Sequence, residues 1–346
     1  RAHFALLRNP LVTSRGEPVG AVFGFANALF QLLRQQQPEH LGVAFDLGGP
    51  TVRHGRYAGY KAQRPPMPDE LSTQQPRARQ LVRAMGLPVI EQEGIEADDL
   101  IGALAVRAVA RGLQAVIVSG DKDFMQLIQP GIRQWIPPLA GSEAQWIDAE
   151  QVVAKWGVGP ERMVDLLGLM GDASDNIPGV RGVGPKTAAQ LIQQYGTIEG
   201  VYLHLDDLGK KAIRAKLEAD RENAFLSREL VRIDTGLEPP CDLEQLRVGP
   251  FAARPELVEL LRELEFRRLL ESLGPAAETS WQADYRVVRS LPELDDLLAG
   301  EVESDFGPQG QGFAGALVDF AGEYRPVLGE DRQHRAEGRN VEVDAR

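Results

Sequence analysis

A single cysteine, Cys241, stands among 346 residues, so no intrachain disulfide can form, and a reducing compartment is expected. Cys241 follows Pro239 and Pro240 with no histidine nearby and reads as a bland surface or half-buried thiol, not a nucleophile. No stretch approaches the roughly 20 apolar residues that a membrane-spanning helix needs. Residues 1–30 lack a basic segment followed by an apolar core and a small-residue cleavage site, so neither a membrane nor secretion is expected, and the place of action is the cytoplasm. Histidine is scarce as well. None of the five falls in the acidic motifs described below.

The apolar share of 43% and the charged share of 25% are ordinary for globular proteins. A net charge of −12, taken over the whole chain, is ill suited to a nucleic-acid partner. Its distribution changes that view. Residues 271–346 hold 16 acidic and 7 basic side chains, leaving 34 acids against 31 bases in the first 270 residues. Eight of those acids belong to the motifs below, so the rest of that region is net positive.

Up to about residue 170, short apolar runs alternate with helical patterns, which predicts an α/β layer fold. Strands are expected at 41–46, 88–91, 115–119 and 132–136, with helices at 76–85 and 96–111. From about 148 the pattern turns helical, with helices expected at 148–156, 160–170, 185–195, 210–230 and 254–273. The division predicted is an α/β core over 1–150 with an irregular segment at about 47–75, a helical part over 151–273, a linker at 274–283 and a further piece over 284–346.

Four short motifs place acids at the ends of these elements: Phe45-Asp46, Glu96-Ala97-Asp98-Asp99, Asp121-Lys122-Asp123 and Asp172-Ala173-Ser174-Asp175. Any one of them alone is most often a helix cap or a complement to the helix dipole. Together, beyond the carboxyl ends of strands, they suit a ligand site of an open sheet. So many converging carboxylates would repel one another unless cations neutralised them. Oxygen donors without His or Cys favour hard ions such as Mg²⁺ or Mn²⁺. Two such ions can serve an in-line phosphoryl displacement.

The runs EADDLIGALA, SGDKDFMQL and GDASDNIPGVRGVGPKTA resemble, in order and spacing, the family of bacterial DNA polymerase I 5′-nuclease domains and flap endonucleases. The resemblance covers Arg1 to about Leu273. It implies a PIN-like fold, a mostly parallel central sheet flanked by helices, with a helix–hairpin–helix subdomain. It also implies structure-selective hydrolysis of DNA at 5′ ends and 5′ flaps, in replication and repair. By the match, Asp46, Glu96 and Asp98 are first-ion ligands, and Asp121, Asp123 and Asp175 are second-ion ligands. Asp99 and Asp172 are matched to groups acting through bound water. The family opens with a strand carrying a further aspartate before the segment that here reads RAHFAL, so the resemblance implies a fragment of a longer protein.

Gly179-Val180-Arg181-Gly182-Val183-Gly184-Pro185-Lys186-Thr187 reads as a phosphate-binding hairpin, its glycines allowing close backbone approach and Pro185 suiting a first helical turn. By resemblance it grips duplex DNA through Gly179, Gly182, Gly184, Lys186 and Thr187, and holds a K⁺ ion. Arg53, Arg56, Tyr57 and Tyr60 form a basic, aromatic run that can track phosphates while a ring stacks on an unpaired base. By resemblance this is a mobile arch, with Lys61, Arg64 and Arg1 near the scissile phosphate. Residues 284–346 resemble the start of a proofreading-type domain without its acidic motif, since Glu303 and Asp305 are reversed in order. The partner implied is a 5′-flap, nicked or junction duplex, met by a monomer continuous with proofreading-like and polymerase domains. Two other readings stay open: a DNA-binding module without catalysis, and a PIN-type ribonuclease, against which the hairpin argues.

Overall fold

The computed structural model describes residues 11–64, 66–138, 143–250 and 254–274, together with three short strands near the C-terminus. Arg1, the strand and helix that the sequence pattern predicts over 285–298, and Glu303 and Asp305 lie outside the described residues. Arg1–Ala277 forms one compact unit and Glu278–Arg346 a second. Among the described residues, no helix is long and apolar enough to cross a membrane.

Strand β1 (Val43–Ala44) pairs in parallel with β2 (Val89–Ile90), Val43 opposite Val89. Strand β3 (Ala115–Val118) pairs in parallel with β4 (Ile132–Ile136), and β4 pairs antiparallel with β5 (Gln145–Ile147). The expected parallel sheet is therefore present as two small sheets among the described residues. The 115–119 run, expected to be buried, covers one face only: Ile117 is 2% exposed, whereas Val116 and Val118 are 40% and 38% exposed. Side chains alternate between faces in a strand, so one helix can cover one set alone. That helix is Ala97–Ala110, whose Ala105 clusters with Ile117, with Ile101 and Val109 packed against them.

The expected helix at 76–85 is found at Gln74–Ala84. It packs against Gly20–Gln36, a helix absent from the sequence expectations, whose Val22, Ala26, Leu29, Phe30 and Leu33 are buried at helical spacing. The segment expected to be irregular folds into two short helices, Val52–Arg56 and Asp69–Ser72.

In the helical part, Ala149–Trp156 starts at a capping box between Asp148 and Gln151. Met163–Met170 follows, with Leu166, Leu167 and Leu169 fully buried, each contributing roughly 1.5–3 kcal/mol by leaving water. Pro185–Tyr195 appears as expected, with Pro185 at its first turn. The single helix expected over 210–230 is two, Lys211–Ala219 and Arg221–Val231, separated at Asp220 (φ −112°, ψ 25°). Asp220 accepts the Arg181 N–H at 3.0 Å and also pairs with the Arg181 guanidinium, a bond an uninterrupted helix would not offer. The helix expected over 254–273 is likewise divided, Pro255–Glu263 and Arg267–Ser272, at Glu265 with φ 60°. In the second unit, β6 (Gly315–Phe320) lies between β7 (Glu323–Pro326), antiparallel to it, and β8 (Asn340–Val341), parallel to it.

Candidate metal and nucleic-acid site

Asp46 follows β1, and its Oδ1 accepts the Ala97 N–H at 2.8 Å, tying the strand to the first turn of the Ala97–Ala110 helix. A free helix N-terminus favours such an anion. Arg79, from the neighbouring helix, donates to the Asp46 carbonyl at 2.9 Å and lies over the Phe45 ring. Glu96 occupies the N-cap position but makes no capping bond. Its Oε2 instead receives Tyr60 Oη at 3.0 Å and Lys61 Nζ at 2.9 Å, and its Oε1 receives Thr51 Oγ1 at 3.1 Å. Burial works against its charge, but Lys61 and Arg53 outweigh burial and hold its pKa below the ordinary value. Asp98, the second residue of the helix, feels Lys61 only as a lesser opposing charge. Burial, then the charges of Asp121 and Asp46, push its carboxyl up to about 7.

The turn after β3 is wound tightly. Ser119 Oγ accepts the Asp121 N–H, and Asp121 Oδ1 accepts the Asp123 N–H, each at 3.0 Å. Burial raises the Asp123 carboxyl to about 6, with Asp121, Asp172 and Asp175 adding to the rise and Lys122 opposing it. Asp123 Oδ1 is buried with no hydrogen-bond partner.

The last acids come from the loop after Met163–Met170. Gly171 (φ 69°) and Gly179 (φ 58°) close it, and Asp172 and Ile177 exchange backbone bonds of 2.9 and 2.8 Å. A Cβ on Gly179 would stand 2.4 Å from the Gly171 nitrogen, so only glycine fits. Asp172 accepts the Ser174 N–H at 2.8 Å and pairs with Lys122, holding its pKa low against burial. Asp175 pairs with Arg64.

Asp46, Glu96, Asp98, Asp121, Asp123 and Asp175 thereby line one cleft of about 190 Å³, with Lys61 and Arg64 also on its wall. Asp99 and Asp172 do not line it. Asp99 points elsewhere: it takes two bonds from Arg53 and the Asp234 N–H at 2.8 Å. Among the described residues no three such side chains already stand close enough to grip one ion. The ion pairs just described explain that spacing, since Glu96 and Asp175 each lean toward a cation. The donor set nevertheless fits a hard divalent ion: all oxygen, crowded enough to raise Asp98, with one buried Asp123 oxygen that accepts no hydrogen bond and has only Lys122 at 3.7 Å.

The basic run divides. Arg53, expected on phosphate, is half-buried on the wall of the cleft, where it bonds Asp99 and the carbonyls of Leu230 and Arg232. Tyr60, expected to offer its ring to a base, is 3% exposed: its ring belongs to the core cluster with Met125 and Ile177, and its hydroxyl donates to Glu96 at the cleft wall. Arg56 is exposed and Tyr57 half-buried. Lys61 holds φ 56°, its N–H donating to the Asp175 carbonyl at 2.8 Å, and the Asn176 side chain donates to the Gly59 carbonyl at 2.6 Å. These bonds staple the 59–64 turn to the acidic loop. In the hairpin, Val180 and Val183 are buried while Gly182, Gly184 and Lys186 are exposed and Thr187 is half-buried. Gly182 has φ 75°. Thr51, Arg79 and Gln134 were not among the expected site residues. Of these, only Gln134 carries a sequence signal, a polar residue in the middle of the apolar strand IRQWI.

The family described as 5′-3′ exonuclease, N-terminal resolvase-like domain, matches residues 1–157. The 5′-3′ exonuclease, C-terminal SAM fold, matches residues 158–254. A 5′-3′ exonuclease of Aquifex aeolicus is 37% identical over 276 residues, covering 79% of this chain and 91% of that protein. DNA polymerase I of Pseudomonas aeruginosa is 43% identical over 84% of this chain, and that of Caldicellulosiruptor bescii 38% identical over 88%. The chain spans about a third of the length of these two polymerases, 33% and 35%. Among solved structures, T5 5′-exonuclease with bound zinc has a TM-score of 0.52 at 20% identity, over 72% of this chain and 90% of that one. The catalytic core of Rad2 in complex with DNA substrate also reaches 0.52, at 17% identity, over 78% and 89%. At these identities the likeness carries the fold, a resolvase-like α/β domain followed by a helical one.

Proposed function

The chain belongs to the 5′-3′ exonuclease family, and on that footing we propose that it hydrolyses DNA phosphodiesters at 5′ ends and 5′ flaps. The observation that carries the proposal is the meeting of Asp46, Glu96, Asp98, Asp121, Asp123 and Asp175 in one cleft with Lys61 and Arg64. Asp46, Glu96 and Asp98 would hold one Mg²⁺ or Mn²⁺ ion, and Asp121, Asp123 and Asp175 a second, with Asp99 and Asp172 steadying the loops that carry them. Bound there, divalent ions supply Lewis-acid stabilisation of charge on the scissile phosphate. Lys61 and Arg64 turn from their carboxylates toward that phosphate. The exposed hairpin at 179–187, with a K⁺ ion at its turn, grips the duplex backbone through Gly182, Gly184 and Lys186. Gly179 shapes that hairpin from within.

The working arrangement is a core over 1–150, a helical DNA-gripping part over 151–273, a linker at 274–283 and a proofreading-like segment beyond. Within a longer polymerase the chain would act as a cytoplasmic monomer on nicked, junction and flap DNA during replication and repair. The test is a 5′-labelled flap duplex incubated with the protein in Mg²⁺ and in EDTA. A short 5′ product that needs the metal is expected, and Asp121→Ala or Asp175→Ala should lose at least 100-fold in rate while still binding the flap. Binding without any metal-dependent product would point to a grip without catalysis, and full activity in either variant would remove that aspartate from the site.

A further inference from the structure

Gln134 is wholly buried, 0% exposed, in the middle of β4. It faces Ile117 of β3 on one side and Ile147 of β5 on the other, so every strand neighbour is apolar. Its Nε2 donates to the Ser119 carbonyl at 2.8 Å and to the Asp121 carbonyl at 2.7 Å. An amide NH₂ has two hydrogens, one for each of those oxygens. The other end of the same amide, Oε1, is buried without a partner. An apolar side chain of equal size would spare the strand that loss, which is roughly 1–3 kcal/mol for an unsatisfied buried polar atom. The amide thus leaves one polar atom unbonded in the core, and the place where its two donors act is the turn that leads into Asp121 and Asp123.

We propose that Gln134 is a positioning residue for the Asp121–Asp123 pair, setting the cation affinity of that half of the cleft. The inference rests on the reading of those aspartates as metal ligands. Gln134 is not itself in the cleft. It acts by drawing the carbonyls of Ser119 and Asp121 inward, which turns the Asp121 side chain outward into the cleft, where Asp123 joins it. With the donors removed, the two carbonyls would rotate toward water and carry the Asp121 backbone with them. Groups that orient ligands in this way typically contribute 10–100-fold to metal affinity.

The experiment titrates Mn²⁺ onto the DNA-free protein, reading bound ion by calorimetry and by the resonance of the free ion. Gln134→Met keeps length and bulk while removing both donors, and Ile132→Val, at a buried position on the same strand, controls for a general loosening of the core. Weakening of Mn²⁺ binding by at least fivefold in Gln134→Met, with Ile132→Val within twofold of the parent, is expected. Equal affinity in Gln134→Met and the parent overturns the inference and leaves the metal site standing. Equal weakening in both variants overturns it too, as does a Gln134→Met chain that lacks folded-state circular dichroism, since the amide would then serve the fold as a whole. A parent protein that binds no Mn²⁺ would instead remove the metal reading on which the inference rests.

Discussion

Arg53 donates two hydrogen bonds to Asp99, 2.6 and 2.8 Å long, with the two side chains 12% and 8% exposed. The same guanidinium reaches the carbonyls of Leu230 and Arg232, so one side chain joins the Val52–Arg56 helix, the acid-bearing helix and the end of Arg221–Val231. Burial opposes the charge on Arg53, yet Asp99 and Glu96 more than compensate and keep its pKa above the usual arginine value.

Breaking a buried pair by removing one partner strands the other. Arg53→Ala is expected to lose about 3–5 kcal/mol of stability, measured by urea unfolding. A loss under about 1 kcal/mol, coupled to weaker binding of flap DNA, would return Arg53 to the phosphate-contacting role expected from sequence.

Asp98 gives a pH signature. Its carboxyl is raised from 3.8 to about 7, so the folded protein holds that proton more tightly than the unfolded chain. The resulting stabilisation is complete below about pH 4 and is lost as the pH rises through about 7. Asp98→Asn cannot ionise and should be more stable than the parent by roughly 1–3 kcal/mol at pH 8 in EDTA, with little difference at pH 4. Glu96 and Asp172, held low, act in the opposite sense in acid. Parallel stability curves for the two proteins between pH 4 and 8 would contradict the prediction.

Arg64 is 51% exposed although it pairs with Asp175. Exposed pairs contribute about 0–1 kcal/mol, so Arg64→Gln should leave the melting temperature nearly unchanged. Flap cleavage should nevertheless fall by roughly 10-fold or more if the guanidinium serves the substrate. Unaltered cleavage kinetics would confine Arg64 to its surface pair.

Gly179→Ala puts a methyl group against the Gly171 backbone, at a φ of 58° that alanine rarely adopts. A loss of more than about 2 kcal/mol is expected, together with weaker cleavage because the loop bearing Asp172 and Asp175 must shift. Ala tolerated within 0.5 kcal/mol would mean that this loop is less tightly closed than its bonds indicate.

The acidic motifs were legible because each is contiguous and ends a periodic element, and the helices at 97–110 and 185–195 lie where their patterns predict. What was illegible depends on partners far along the chain. Nothing local in Val52-Arg53-His54 tells that Arg53 meets Asp99 and the end of a helix 177 residues away. The basic neighbours of Tyr60 suggest a stacking ring, and its burial depends on Glu96 and on apolar partners such as Met125 and Ile177, far along the chain. The helix Gly20–Gln36 went unread, although its apolar spacing is regular once Gln74 and Leu81 are seen beside it. The breaks at Asp220 and Glu265 contain neither proline nor glycine. They are set by tertiary bonds such as the one from Arg181.

Five of the six carboxylates in the cleft, Asp46 through Asp123, belong to the segment matched up to residue 157, and Asp175 belongs to the segment that begins at 158. The seam between those segments is visible in ancestry but crossed repeatedly in space, by Lys122 reaching Asp172 and by the Lys61 N–H reaching the Asp175 carbonyl. A chimera that took one segment from a distant cousin would inherit half of each handshake.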